Sequence, residues 1–202
     1  MYNKENILEN TSEFIIETIA PIFNKKGYVG TTLSDLTKAT QLTKGALYCN
    51  FKNKEELALE SFRYNAKKAL HPLFISLSQQ STSVEKLKAL TDYYRVFYRS
   101  VIERGGCPIL NIGVDAKHNS PTLFNKAQNE ATKLILGLSE IIDHGVKNEE
   151  FKEDIEASKF ARTFYSMIEG AVFMAMMYED NKYLIDAMDL MDSVVETQLK
   201  RI

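Results

Sequence analysis

The sequence predicts an all-α protein of about nine helices. Apolar residues recur at three- and four-residue steps along most of the chain: Leu87, Leu90, Tyr94, Phe97 and Val101 form one series. Ala127, Ala131, Leu134, Leu138 and Ile141 form another, and Leu184, Met188, Met191 and Val195 a third. Each lays one apolar stripe along a helix. Four Pro and nine Gly in 202 residues supply too few turn formers for an all-β chain and too little bias for a disordered one. No alternating run is long enough to compete as a strand. The 45 % hydrophobic and 26 % charged composition, with a net charge of −2, is that of an ordinary globular protein. The length suits one large domain or two small ones.

The elements follow in order. A first helix carries Ile15, Ile16 and Ile19 through Pro21, where a kink is expected, and breaks near Lys26-Gly27-Tyr28. Two short helices fill 32–51. Asn53 with Glu56 three residues on is a reciprocal capping pair that opens a long helix over 54–76. Leu57, Ser61, Tyr64 and Lys68 lie along one of its sides, and Pro72 is expected to bend its end. Thr82 with Glu85 opens the next helix, 84–103. Breaks at 104–108 and 117–120 bound a short helix. Ser120-Pro121 reads as a cap with proline at the first helical position, beginning 121–147. The last breaks, at 148–154 and 178–182, leave helices over 156–178 and 183–200.

Several functions are excluded or disfavoured. Met1-Tyr2-Asn3-Lys4-Glu5-Asn6 shows no apolar leader, and the longest apolar-rich run, Phe164 to Tyr178, is 15 residues and contains Glu169. That is too short for a bilayer, so no membrane partner and a cytoplasmic location are expected. Cys49 and Cys107 lie 58 positions apart without metal-ligand spacing and read as two free thiols. His71, His118 and His144 have no triad or second-ligand motif, and Asp115 with His118 three residues on reads as solvated rather than metal-binding. No phosphate-binding or dinucleotide fingerprint occurs. Neither a catalytic residue nor a cofactor or metal is expected, so the chain is not read as an enzyme.

Composition shifts once. Residues 24–54 hold Lys25, Lys26, Lys38, Lys44, Lys52 and Lys54 against Asp35, a local charge of +5 in a chain that totals −2. Within this head, Thr32 can cap a short helix with Asp35 reaching back, and Leu33, Leu36 and Ala39 share a side. Leu42 plugs a tight turn. Thr43 caps a second helix with Leu47 and Phe51 as its inner face. Two short helices, a tight turn and anchors at these offsets describe a helix-turn-helix at about 32–51. The outer side of its second helix offers Lys44, Ala46, Tyr48, Cys49 and Asn50. Such a helix fits the major groove. Lys44 can donate to guanine acceptors and the Ala46 methyl can touch thymine. Gly45 permits close approach, and the helix starts at Thr32, Thr43 and Lys54 suit phosphates, as do the Tyr48 hydroxyl and the Lys54 ammonium.

Four ordered blocks over about residues 12–62 resemble the N-terminal domain of the TetR (tetracycline-repressor-like) transcriptional regulators. They are Ile15 through Tyr28, Gly30-Thr31-Thr32-Leu33, Thr43-Lys44-Gly45-Ala46-Leu47-Tyr48 with Phe51, and Lys54-Glu55-Glu56-Leu57. The resemblance implies that Thr32, Thr43, Lys44, Tyr48, Asn50 and Lys54 touch DNA. It also implies a homodimer and a helical effector-binding body. Three departures stand out: Gln41 where the family commonly has Gly, Pro21 inside the first helix, and Cys49 where an aromatic or histidine is common.

The division expected is a DNA-binding domain at 1–55 and an effector-binding and dimerisation domain at 56–202. Aromatic helices in the body suggest a pocket for a hydrophobic or amphipathic molecule of unknown identity. The candidate contacts are Tyr94, Phe97, Tyr98, Cys107, Asn111, Phe164, Ile168 and Phe173. Glu169 is a further polar candidate, the alternatives being a pairing with Arg162 or Lys159 or an exposed position. The helix over 156–178 is apolar nearly all round, so with 183–200 it is expected to form a four-helix interface with a second copy. The expected function is a sequence-specific DNA-binding regulator, a repressor released from its operator by the ligand. The alternatives are a dimeric helical ligand carrier or a helical enzyme without DNA binding.

Overall fold

The computed structural model describes residues 4–201, with the side chains of 11–100 and 103–201. The side chain of Val101, last in its apolar series, the side chains of the Met1–Asn6 stretch, and the backbone of its first three residues lie outside these. Nine α-helices occur among the described residues: α1 Lys4–Gly30, α2 Leu33–Thr40, α3 Lys44–Asn50, α4 Lys54–Ser78, α5 Ser83–Arg104, α6 Pro108–Ala116, α7 Pro121–Lys147, α8 Ala157–Tyr178 and α9 Lys182–Val194. One π-helical turn, Val195–Leu199, follows α9. An isolated antiparallel bridge joins Phe151 to Lys200.

The caps stand where the local sequence puts them. Thr32 and Asp35 exchange hydrogen bonds at the start of α2: the Asp35 amide donates to Thr32 Oγ1 at 3.1 Å and the Thr32 amide to Asp35 Oδ2 at 2.8 Å. Thr82 and Glu85 do the same before α5, at 3.0 and 3.1 Å. Ser120 Oγ accepts from the Leu123 amide at 3.2 Å before α7. Each satisfies amides that the first helical turn leaves without partners. At α4, Asn53 Oδ1 caps the Glu56 amide at 2.9 Å, but Glu56 reaches back to the Lys52 amide rather than to that of Asn53. Pro21 and Pro72 lie inside α1 and α4, and both helices continue through them.

The chain divides into two compact units. The first comprises residues 1–68 and 108–128, the second 69–107 and 129–202, so the boundary falls inside α4 and again inside α7. This packing division cuts the chain elsewhere than the functional boundary read near residue 55. In the first unit, Ile15, Ile19, Phe23, Leu36, Leu47 and Leu57 are buried to 1 % exposure or less and form a core shared by α1 to α4. Ala39 is a correction. It is exposed, and Thr40 is buried in its place, its hydroxyl donating to Leu36 O at 2.8 Å. A four-residue step from Leu36 continues the buried stripe as α2 ends, whereas the three-residue step turns outward.

In the second unit, α5, α8 and α9 pack on one another. Leu87, Leu90 and Tyr94 meet Phe164, Ile168, Ala171 and Ala175 with Leu184, Met188 and Met191, all buried. An ionic cluster ties α5 to α9: Arg95 Nη2 reaches Asp189 at 2.7 Å and Asp192 at 2.6 Å, and Lys88 reaches Asp192 at 3.1 Å. Thr91 Oγ1 donates to Asp192 at 2.7 Å.

Candidate nucleic-acid interface and effector cavity

The first unit builds a helix-turn-helix from its own local chemistry. Gln41 turns the chain between α2 and α3 in the left-handed region, at φ 57° and ψ 20°. Thr43 then stops the turn and starts α3, its Oγ1 accepting from the Ala46 amide at 3.1 Å. Leu47 at 0 % exposure and Phe51 at 7 % anchor the inner face. The rest of α3 is turned outward: Thr43, Lys44, Gly45 and Cys49 are exposed, and Ala46 and Tyr48 half-exposed. Lys44 Nζ lies 5.9 Å from the Tyr48 ring centroid, so the ammonium and phenol share one patch. A Cβ built on Gly45 meets nothing closer than Thr43 Oγ1 at 3.8 Å. Internal packing therefore does not demand a glycine there.

Other candidates are held more tightly. The Asn50 side chain accepts from Ser12 Oγ at 3.1 Å and donates to Ala46 O at 3.0 Å, so both ends of its amide are engaged inside the unit. Thr32 is exposed at the start of α2. Its partner Asp35 also binds Lys26 Nζ at 2.7 Å. That lysine first, then the Thr32 amide and hydroxyl, hold the Asp35 carboxyl far below the usual carboxylate range. Lys54 Nζ stands 4.7 Å over the Tyr28 ring. Partial burial lowers its pKa, opposed by Asp115 and Asp35.

One residue of this arrangement is a correction: read as solvated in the sequence, it is engaged by backbone amides. Asp115, on α6, accepts the Tyr28 amide at 2.6 Å and the Val29 amide at 3.3 Å. These amides are free because Gly27 breaks α1 at φ 73°. A Cβ on Gly27 would stand 2.7 Å from the Asp115 carboxyl carbon, so both the backbone angle and the close approach require glycine. Asp115 therefore caps a helix end, and His118, read beside it in sequence, is exposed. The visible signal was Gly27 alone; nothing local points to its partner.

The second unit contains a cavity of about 670 Å³, counting the space at its mouth. Leu73, Leu77, Leu90, Leu134, Leu138 and Ile141 give it an apolar wall, with Tyr94, Tyr165 and Ile168 along α5 and α8 and Lys133 among the lining residues. Of the eight candidate contacts, Tyr94 and Ile168 line it. Phe97 is buried in a ring cluster, 5.1 Å from Tyr93 and 5.4 Å from Tyr94 between centroids. Phe164 is buried edge-on to Phe160 at 6.1 Å, and Tyr98 is half-exposed. Two candidates are corrected. Asn111 belongs to the first unit, where its Nδ2 donates to Asn24 O at 3.0 Å. Phe173 is 52 % exposed on the outer side of α8.

Cys107 is buried, and its Sγ donates to Glu169 Oε1 at 3.3 Å. Glu169 is neither exposed nor paired with Arg162, which goes to Glu156 at 3.6 Å. Burial raises the pKa of Glu169, opposed by the hydrogen bond from Cys107 and the nearby Tyr165 hydroxyl. The geometry to Tyr165 is not that of a hydrogen bond, however. Glu169 Oε2 and the Tyr165 oxygen are both sealed from solvent without a hydrogen bond from the protein.

Residues 15–60 match the family model described as bacterial regulatory proteins, tetR family. Residues 83–191 match the tetracyclin repressor-like C-terminal domain. The chain belongs to the TetR family. It is a DNA-binding transcriptional regulator, of a family whose members are typically ligand-responsive repressors and not enzymes. A TetR-family regulator from Cytophaga hutchinsonii is 30 % identical, with a TM-score of 0.85 over 96 % of this chain and 97 % of that one. A TetR regulator from Chloroflexus aurantiacus is 28 % identical, with a TM-score of 0.90 over 98 % and 100 %. The HTH-type transcriptional repressor DhaR of Mycobacterium sp. is 22 % identical over 177 residues, 86 % of each chain. Among the described residues of this TetR-family chain, no helix is long and apolar enough to cross a membrane.

Proposed function

We propose that the protein is a homodimeric repressor that sets α3 of each subunit in successive major grooves of a two-fold operator. A small amphipathic molecule in the cavity of the second unit would release it. The observation that carries this reading is the outer face of α3: a capped helix start bearing Lys44, Gly45 and Tyr48 that is not covered by the residues of its own unit. In this reading Thr32, Thr43, Lys44, Gly45, Ala46, Tyr48, Cys49, Asn50 and Lys54 form the DNA surface, with Asn50 acting through the backbone position it braces. Residues 1–55 read DNA; 56–202 bind the effector and the second subunit. The repressor sign is supported by the family and by the name of the Mycobacterium relative.

The second copy is expected on α8 and α9. Phe173 and Met177 on α8 and Leu190 on α9 are 52 %, 54 % and 56 % exposed, an apolar surface that a lone chain would leave in water. A Cβ on Gly170 meets nothing within 4 Å, which leaves room there for a neighbouring helix. Binding of effector and DNA is then reciprocal. A coupling of ~1–3 kcal/mol changes either affinity ~5- to 150-fold. A DNA-binding regulator works where the chromosome is, which supports a cytoplasmic location.

Gel-shift titration on the DNA upstream of the protein's own gene tests the reading. Lys44→Ala is expected to change which sequences bind. Lys54→Ala is expected to weaken all sites alike and to flatten the salt dependence by about one unit. Binding without sequence preference, or the same altered preference from both variants, would overturn it.

A further inference from the structure

Resting on the reading of the cavity as the effector site, we infer that its ligand is uncharged: a hydrocarbon body buried among α4, α5, α7 and α8, with any polar end neutral and at the mouth beside Lys133. The starting point is the wall. Leucine, isoleucine, phenylalanine and one glycine supply nine of its twelve residues. Tyr165 presents only its ring, because its oxygen is sealed from solvent. Burial, before any other cause, holds the phenols of Tyr94 and Tyr165 above their ordinary pKa, so both are neutral at physiological pH. An ion set against such a wall loses its water and meets no opposite charge. A hydrocarbon body loses nothing there and leaves water behind.

The mouth selects against both signs of charge. Among the described residues, Lys133 is the one charged member of the lining. Its side chain is 66 % exposed, and its Nζ lies 3.1 Å from Glu130 Oε1. An anion at the mouth has Glu130 to displace, and a cation faces Lys133. A contact so open to water adds at most about fivefold in affinity, so the apolar body decides. The space for that body is set by α7. Lys133, Leu134, Gly137, Leu138 and Ile141 share one face of it, over roughly 12 Å of helix. A Cβ on Gly137 meets nothing within 4 Å, so the wall is open in the middle of that face. A larger side chain there would take the room of the ligand, which makes Gly137 a specificity-determining residue.

Three probes of one skeleton decide it: phenylbutanol, phenylbutanoate and phenylbutylamine, titrated calorimetrically into the full-length protein at neutral pH. The alcohol is expected to bind ~10-fold or more tightly than either ion. Phenylethanol, two methylenes shorter, is expected to bind about 10- to 15-fold more weakly than phenylbutanol. Gly137→Leu is expected to lower phenylbutanol affinity ~10-fold or more. The ligand-free variant should melt no lower than the parent, since leucine favours helix over glycine. If that variant fails to fold, Gly137→Ala serves, with a smaller loss in the same direction. The inference is overturned if either ion binds as tightly as the alcohol, and a phenylbutanoate that binds best and loses its advantage in Lys133→Ala would assign the site to acids. It is also overturned if the Gly137 variant binds the alcohol as the parent does, or if none of the probes binds. Operator affinity, measured separately, keeps the two readings apart. Phenylbutanol that binds at Gly137 without altering operator affinity supports this inference and refutes the effector role. A protein released from operator by one of the ions but not by the alcohol refutes this inference alone.

Discussion

Gln41 and Gly45 bracket the start of α3 and show opposite misfits. Gln41 adopts φ 57°, where a side chain costs ~1 kcal/mol that glycine would avoid. Gln41→Gly is expected to raise stability by up to ~1 kcal/mol, read as a shift of the denaturation midpoint. Gly45 sits in ordinary helix, where an added Cβ would make only ordinary contact with Thr43 Oγ1 at 3.8 Å. Gly45→Ala should therefore leave folding intact or stabilise it by up to ~1 kcal/mol. If α3 approaches DNA as proposed, the same change should weaken operator binding, and unaltered binding would show that Gly45 is not at the contact. The Thr32, Thr43 and Thr82 caps were legible because each closes within three residues. Asp115 was not, because its partners at Tyr28 and Val29 are almost ninety positions away in the chain. Phe173 was misplaced for a different reason. On a helix apolar nearly all round, periodicity does not tell an inward stripe from an outward one.

At the scale of elements, helix ends were the clearest part of the sequence, since caps and breaks are local. The pairing of α5 with α9 was not, because Arg95 and Asp192 are joined across 97 positions. Burial works against ionisation of Asp192, yet hydrogen bonds from Thr91, Arg95 and Lys88 more than offset it and keep its pKa below the ordinary value. Its contribution to stability is thus complete above the unfolded-state pKa and is lost as pH falls through the depressed folded-state pKa. Asp192→Ala is expected to cost about 1–3 kcal/mol near neutral pH. The difference between variant and parent in urea midpoint should shrink below about pH 4. A constant difference across that range would argue against an ionic role.

For the whole molecule, the proposed assembly rests on the exposed residues of α8 and α9. Phe173→Arg places a charge on a surface residue that is 52 % exposed, so the fold should survive. Sedimentation should then report a monomer, and operator affinity should fall because two half-sites no longer bind together. A dimer that persists would move the interface elsewhere. The first compact unit has a consequence for how the chain is made. Its pieces, 1–68 and 108–128, are interrupted in sequence by α5. The ribosome must therefore release the whole of α5 before Asp115 emerges to close the end of α1. The helix-turn-helix is synthesised before α6, yet the unit that holds it cannot be finished until the chain has been extended through Gln128.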